Sequence, residues 1–167
     1  MKTLEHLLKP IRIKSLEIAN RVVMPPMGTG LGNNDGTVSE ANLAYLRRRV
    51  RSEAGLYITE ITEVEPAGAV TPSCLGIWDD KFIPGFQRLT EAVHNQGCPI
   101  SIQLQHSGPW NPTNLLPRDP AIRDIKCPSS LREDELPGPD FLPCRGVSIQ
   151  EVEDLIDIWA TAAQRAY

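Results

Sequence analysis

Residues 20–28 read NRVVMPPMG. Arg21–Met24 suit a short extended segment, and Pro25-Pro26 end it, because neither proline offers an N–H to a sheet ladder. A glycine-bearing loop, TGLGNNDG, follows at 29–36. Beyond it the spacing predicts a helix from near Thr37. Thr37 and Glu40 match a capping box. Leu43, Leu46 and Val50 fall at i, i+3, i+7 and form an apolar stripe. Arg47, Arg48, Arg49 and Arg51 gather where the helix should end, and cations there complement the helix dipole.

The same strand-then-helix unit recurs twice. LYITEI, residues 56–61, follows Gly55 and is rich in strand-forming types. Its helix is expected near Pro84, a residue suited to a first helical turn. Phe86, Leu89 and Val93 repeat the stripe, and Gly97 is the expected stop. PISIQLQ, residues 99–105, is the third strand. A proline-rich stretch then occupies about 107–147, with Pro109, Pro112, Pro117, Pro120, Pro128, Pro137, Pro139 and Pro143. A structureless linker is one reading; a loop of this length inside a compact domain is uncommon and often functional, such as a lid over a site. The last helix opens on a Ser148/Glu151 capping box, with Val152, Leu155, Ile156, Trp159 and Ala163 as its expected buried face. Strand starts lie about 35 and about 44 residues apart, room for right-handed crossovers. The fold class is therefore parallel α/β, either a doubly wound open sheet or a (β/α)8 barrel. Gly28, Gly30 and Gly32 form a G-x-G-x-G loop with no helix directly behind it, so the dinucleotide fingerprint is absent.

With 167 residues the chain can bury a real core. A net charge of −4 gives no electrostatic case for nucleic acid or an anionic membrane as partner. No window reaches the length of a membrane span, and MKTLEHLLKPIRIKS lacks a signal-peptide core, so a cytoplasmic protein is expected. Cys74, Cys98, Cys127 and Cys144 form no C-x-x-C pair, so no metal is expected and reduced thiols are. Cys127 and Cys144 could pair in principle, but a cytosolic setting argues against it.

Ligands of parallel α/β folds gather at the C-terminal strand ends. Those ends are Pro25-Pro26-Met27-Gly28, Thr59-Glu60-Ile61 and Gln103-Leu104-Gln105-His106. In the third strand Ile100, Ile102 and Leu104 share one face, and Ser101, Gln103 and Gln105 the other. A polar row is unusual in a parallel strand and needs partners. The Gln103 amide can bond to neighbouring backbone or water, or offer one acceptor and two donors to a planar heterocycle. His94 belongs on a helix surface, and the role of His106 stays open.

Several stretches in series carry a resemblance. NRVVMPPMG, GLYITE, GIWDDKFIPGFQRLTEAVHNQG and ISIQLQHSG together resemble the N-terminal part of the Old Yellow Enzyme family, FMN-dependent (β/α)8-barrel oxidoreductases. LLKPIRIKSLEIANRVVMPPMGTGL followed by DGTVSE is most similar to the branch with dienoyl-CoA reductase, enoate reductase and trimethylamine dehydrogenase. CPSSL and VSIQEVEDLIDIWATAAQRA resemble the family in the same order.

The resemblance implies that this chain is the first three βα units of a TIM barrel, incomplete as given, over residues 1–167. It implies FMN as cofactor and NAD(P)H as reductant. By position in the motifs, Pro25, Pro26, Met27 and Gly28 would lie along the flavin edge. Ile61 would contact the ring, and Gln103 would hydrogen-bond its pyrimidine side. No catalytic residue is assigned, since the family's substrate-binding histidine pair or His/Asn pair follows in a fourth strand. Three positions depart from the family pattern. Gly28 stands where a small polar residue or cysteine is frequent, Ile61 is bulkier than the usual alanine or glycine, and Pro109 replaces a common arginine. An iron–sulfur cluster or FAD would belong to C-terminal regions, as no cysteine run is present here.

The implied reaction is NAD(P)H-driven reduction of an activated C=C of an enoate or enoyl thioester, a small-molecule substrate. The alternatives are amine dehydrogenation on the same fold, with Trp110 as an aromatic candidate, and a non-catalytic role completing another chain's barrel. The expected partner is accordingly the remainder of the barrel or a complementary chain, and the 167 residues alone are expected to be inactive.

Overall fold

The computed structural model describes residues 4–108, 110, 124–136, 138 and 143–167. A one-turn helix α1 (Glu5–Leu8) leads into an antiparallel hairpin of β1 (Ile11–Ile13) and β2 (Leu16–Ile18). No element is expected before Arg21 from the sequence pattern. The hairpin forms around Lys14, which adopts a left-handed φ of 53°. Its last residue, Ile18, is buried against Gly55, where a Cβ would meet Asn20 O at 2.4 Å and Ile18 Cγ2 at 2.8 Å.

The parallel units follow in order. They are β3 (Val23–Met24), α2 (Glu40–Arg49), β4 (Leu56–Glu63), β5 (Leu75–Gly76), α3 (Ile83–His94) and β6 (Ile100–Gln105). Two-residue ladders β7 (Lys126–Cys127) and β8 (Arg145–Gly146) precede α4 (Ile149–Ala166). The strand β4 is the centre of the sheet. β6 runs parallel along one edge, from Tyr57↔Ile100 to Glu63↔Gln105. The other edge is shared. β3 takes its start at Val23↔Leu56 and Met24↔Tyr57, and β5 takes its end at Thr62↔Leu75 and Glu63↔Gly76. β3 stops after two residues because Pro25 and Pro26 cannot donate to the ladder.

The helices pack on this sheet through the expected stripes. Leu43, Leu46 and Val50 of the first unit and Phe86, Leu89 and Val93 of the second are all buried, with Tyr57, Val64 and Phe82 between them. Fully burying one such aliphatic side chain contributes roughly 1.5–3 kcal/mol. Tyr57 is fully buried and its hydroxyl donates to the Arg49 carbonyl at the end of α2. Ile100, Ile102 and Leu104 pack on the same core, so Ser101, Gln103 and Gln105 face the opposite side of the sheet.

Three expectations need correction. The helix α2 starts later than Thr37. Its N-cap is Ser39, whose side chain accepts from Asn42 N while Asn42 Oδ1 accepts from Ser39 N. Thr37 is held outside the helix by Asp35, which accepts from both its N (3.0 Å) and its Oγ1 (2.7 Å). The Ser148/Glu151 box of α4 forms as expected, but the buried side of that helix is rotated. Ile158, Ala162 and Ala166 meet the core, whereas Val152, Ile156, Trp159 and Ala163 are exposed. Two adjacent apolar stripes run along α4, and periodicity alone does not choose between them.

Cys127 and Cys144 are joined in a disulfide with Cα atoms 6.2 Å apart, while Cys74 and Cys98 are free and buried. The pairing of β7 with β8 and the Leu131↔Cys144 bridge bring the two cysteines together, a tertiary fact that sequence spacing does not carry. The stretch 107–147 is thus ordered structure over its described part. Arg145 ties it to α4 by bonding Asp124 and Glu151. Pro109, Pro112, Pro117, Pro120, Pro137 and Pro139 lie outside the described residues. Among the described residues no helix is long and apolar enough to cross a membrane.

Candidate functional site

The three strand ends named from the sequence lie side by side. The β4–β6 ladder carries an irregularity between Ile58 and Ile61, where three steps along β4 match two along β6. This β-bulge sits midway along β4, two to three residues before its C-terminal end, and bulges are frequent beside functional sites. Thr59 Oγ1 repairs the ladder by accepting Gln103 N at 3.2 Å and donating to Glu60 O at 3.0 Å. After the bulge the register restarts at Ile61↔Gln103, so these two expected site residues are direct cross-strand neighbours. The Gln103 side chain is half-buried and makes no hydrogen bond among the described residues.

Following β3, the turn from Pro25 to Gly28 leaves Met27 54% exposed and Gly28 with open space wherever a Cβ would project. The amides of Met27 and Gly28 make no hydrogen bond among the described residues. The turn is fastened to β4 one residue later. Thr29 N donates to Glu60 Oε2 (2.8 Å) and Thr29 Oγ1 to Glu60 Oε1 (2.6 Å), and Asn42 Nδ2 donates to the same Oε1 (2.9 Å). Pro25, Met27 and Thr29 line a small cavity with Asn42, Tyr57 and Glu60. The structure therefore brings Ile61 and Gln103 together across the ladder and anchors the turn through Glu60, on the side of β4 that faces α2. Glu60 and Asn42 were not assigned a role from sequence. The available signal was a carboxylate near the end of an otherwise buried parallel strand.

His106 lies just past β6 as a latch. Its Nδ1 accepts Gly108 N (3.0 Å), which places the proton on Nε2, and Nε2 donates to Glu65 Oε1 (2.7 Å). That donated hydrogen bond, opposed by burial and aided by the nearby charges, holds the Glu65 carboxyl below its ordinary value. Gly68 gives the ring room, since a Cβ there would meet its carbons at 3.0 Å. Ser107 N continues the seam to Gly68 O at 3.1 Å. Trp110 is 60% exposed.

Comparison with known proteins gives this strand-end arrangement its context. Residues 6–167 match the profile described as the NADH:flavin oxidoreductase / NADH oxidase family. The chain belongs to this family. It is 36% identical over 163 residues to an NADH oxidase from Thermoanaerobacter brockii, covering 93% of this chain and 23% of that protein. It is 35% identical over 162 residues to an NADPH dehydrogenase from Bacillus subtilis (strain 168), covering 96% and 44%. The structure of an Old Yellow Enzyme homologue from Zymomonas mobilis superposes with a TM-score of 0.82 at 28% identity, covering 96% of this chain and 44% of that one. The chain thus spans less than half the length of these relatives. β3, β4 and β6 with their helices are the first three βα units of the family's barrel. The family implies a flavin, and the residues present fit one edge of it. Among the described residues the Gln103 side-chain amide and the Met27 and Gly28 backbone N–H groups have no partner, and such donors and acceptors suit a planar heterocycle.

Proposed function

We propose that Pro25, Pro26, Met27, Gly28, Ile61 and Gln103 form one wall of an FMN site in an NAD(P)H-dependent oxidoreductase. The substrate in this reading is the activated C=C of an enoate or enoyl thioester. Residues 1–167 form the N-terminal portion of the barrel. The observation that carries the proposal is the half-buried Gln103 amide, aligned with Ile61 and without a partner among the described residues. The flavin, when bound, supplies the hydride chemistry, and the protein supplies position and polarity. Gln103 orients the ring through its acceptor and donors, Ile61 excludes water from the ring's neighbourhood, and the prolines stiffen the turn that presents the Met27 and Gly28 amides.

The test is FMN titration of the full-length protein by fluorescence, with Gln103→Leu beside the natural protein. Submicromolar binding weakened at least about tenfold by the substitution is expected, the worth of roughly one lost hydrogen bond to a buried polar partner. A full-length protein that takes no FMN, or that binds it equally well with Leu at 103, overturns the proposal. NAD(P)H oxidation by the loaded enzyme with an enoate or an enoyl thioester, set against bleaching of the bound flavin by a tertiary amine without NAD(P)H, then separates C=C reduction from amine oxidation.

One observation favours a further reading of the partner. The exposed apolar face of α4 and the outer edge of β6, unpaired among the described residues, suit completion of the barrel by more polypeptide, either a continuation of this chain or a complementary one. Sedimentation of the 167-residue chain, with and without the remaining barrel segment, distinguishes a self-sufficient monomer from a piece that associates.

A further inference from the structure

Glu60 has no assigned part in the reading above, yet its bonding is the most concentrated at the strand ends. The side chain is 8% exposed. Oε2 accepts Thr29 N at 2.8 Å; Oε1 accepts Thr29 Oγ1 at 2.6 Å and Asn42 Nδ2 at 2.9 Å. The donors are fixed in turn. Asn42 Oδ1 accepts Ser39 N at the cap of α2, which sets the direction of its amide. Thr29 Oγ1 also accepts Leu31 N at 3.2 Å.

Desolvating a carboxylate costs several kcal/mol, and a well-packed apolar residue of similar volume is often as good for stability alone. The geometry gives Glu60 a more specific task. On one side of the turn, Met24 is paired with Tyr57 and the two prolines fix their own φ angles. On the other side, Thr29 is gripped by both its amide and its hydroxyl. Met27 and Gly28 lie between these fixed points, and their amides have no partner among the described residues.

We infer that Glu60 is the positioning residue of the flavin-edge turn. Its carboxylate clamps Thr29 so that the Met27 and Gly28 amides are aimed at the ring before the ring arrives. This inference rests on the FMN reading for the identity of the ring but not for the clamp itself. Amides held toward the flavin stabilise its electron-rich reduced form more than its oxidised form, so the clamp also raises the midpoint potential.

The experiment compares full-length natural protein with Glu60→Gln, Thr29→Val and Thr29→Ser. Three readouts are taken: amide hydrogen exchange over residues 25–31 without flavin, FMN affinity, and the midpoint potential of bound FMN. Glu60→Gln keeps the shape but points an amide NH2 group at one of the Thr29 donors. Faster exchange, FMN binding weakened about tenfold and a lowered potential are expected, the scale of one charge-assisted hydrogen bond. Thr29→Val should follow in the same direction to a smaller extent, and Thr29→Ser should match the natural protein in all three. Should Glu60→Gln fail to fold, Thr29→Val against Thr29→Ser carries the decision, since both leave the carboxylate in place. Unchanged exchange, affinity and potential in the variants overturn the inference. A natural protein that binds no FMN overturns the flavin reading instead, and the exchange comparison still decides whether the clamp exists.

Discussion

Thr59 is the side chain through which the bulge in β4 can be tested. It is 7% exposed, and its hydroxyl takes the place of a backbone carbonyl for Gln103 N. Thr59→Val preserves volume and removes that acceptor. Leaving a buried N–H without a partner costs about 1–3 kcal/mol, and the extra apolar group returns part of it. The Glu60 carbonyl also loses a donor but keeps Thr62 Oγ1 at 3.2 Å, so it adds little. A net loss of about 1–2 kcal/mol is expected in urea unfolding. Thr59→Ser is the control. It keeps the hydroxyl and deletes one methyl, worth about 0.8 kcal/mol. Stability alone would leave the two variants close, so hydrogen exchange at the Gln103 amide is the deciding assay. Exchange should speed up about tenfold for each roughly 1.4 kcal/mol of lost protection in the valine variant and stay near the natural value in serine. Equal exchange at Gln103 in valine and serine variants would refute the role given to the hydroxyl.

Three further outcomes are expected. Gly32→Ala places a Cβ 2.3 Å from Ser73 O and 3.2 Å from Leu75 Cδ2. It should cost about 1–3 kcal/mol in urea unfolding, whereas Gly28→Ala, with open space around it, should stay within about 0.5 kcal/mol. The Glu65 carboxyl is held below its ordinary value of 4.5, chiefly by the bond from His106. Its depressed folded-state value means the stabilisation is present above pH 4.5 and is lost as pH falls through the lower folded value. Glu65→Gln keeps an acceptor for Nε2–H and removes the charge, so an acid titration of the unfolding midpoint should be flatter in that window. Reducing the Cys127–Cys144 disulfide, with a sequence separation of 17, should release local stability of about 3 kcal/mol, read as faster exchange across residues 124–147.

The elements that were legible in sequence are those with a single strong period or a stop residue. Phe86, Leu89 and Val93 mark one stripe with polar residues around it, and they are buried. Pro25-Pro26 ends β3 where the missing N–H groups demand it. The alternating faces of β6 follow from a period of two, and Gln103 stands on the face turned from the core. What was not legible depends on neighbours distant in sequence. The cap of α2 went to Ser39 because Asn42 reaches back to it, while Asp35 competes successfully for Thr37. Nothing local says which apolar stripe of α4 meets the core or that Cys127 and Cys144 converge. The bulge at Thr59 and the clamp at Glu60 were hidden for the same reason, since each exists only once β6, the turn and α2 are assembled around β4. The family resemblance supplied Pro25–Gly28, Ile61 and Gln103. The physical account of what holds those positions came from the structure.

The central claim is that the inner face of β4 and β6 and the turn after β3 receive a flavin ring. A crystal structure of the full-length protein grown with FMN tests it most directly. The account predicts the pyrimidine edge of the ring within hydrogen-bond distance of the Gln103 side chain, Ile61 against the ring, and at least one of the Met27 and Gly28 amides donating to it. FMN bound elsewhere, with Gln103 turned to solvent or to backbone, would contradict it.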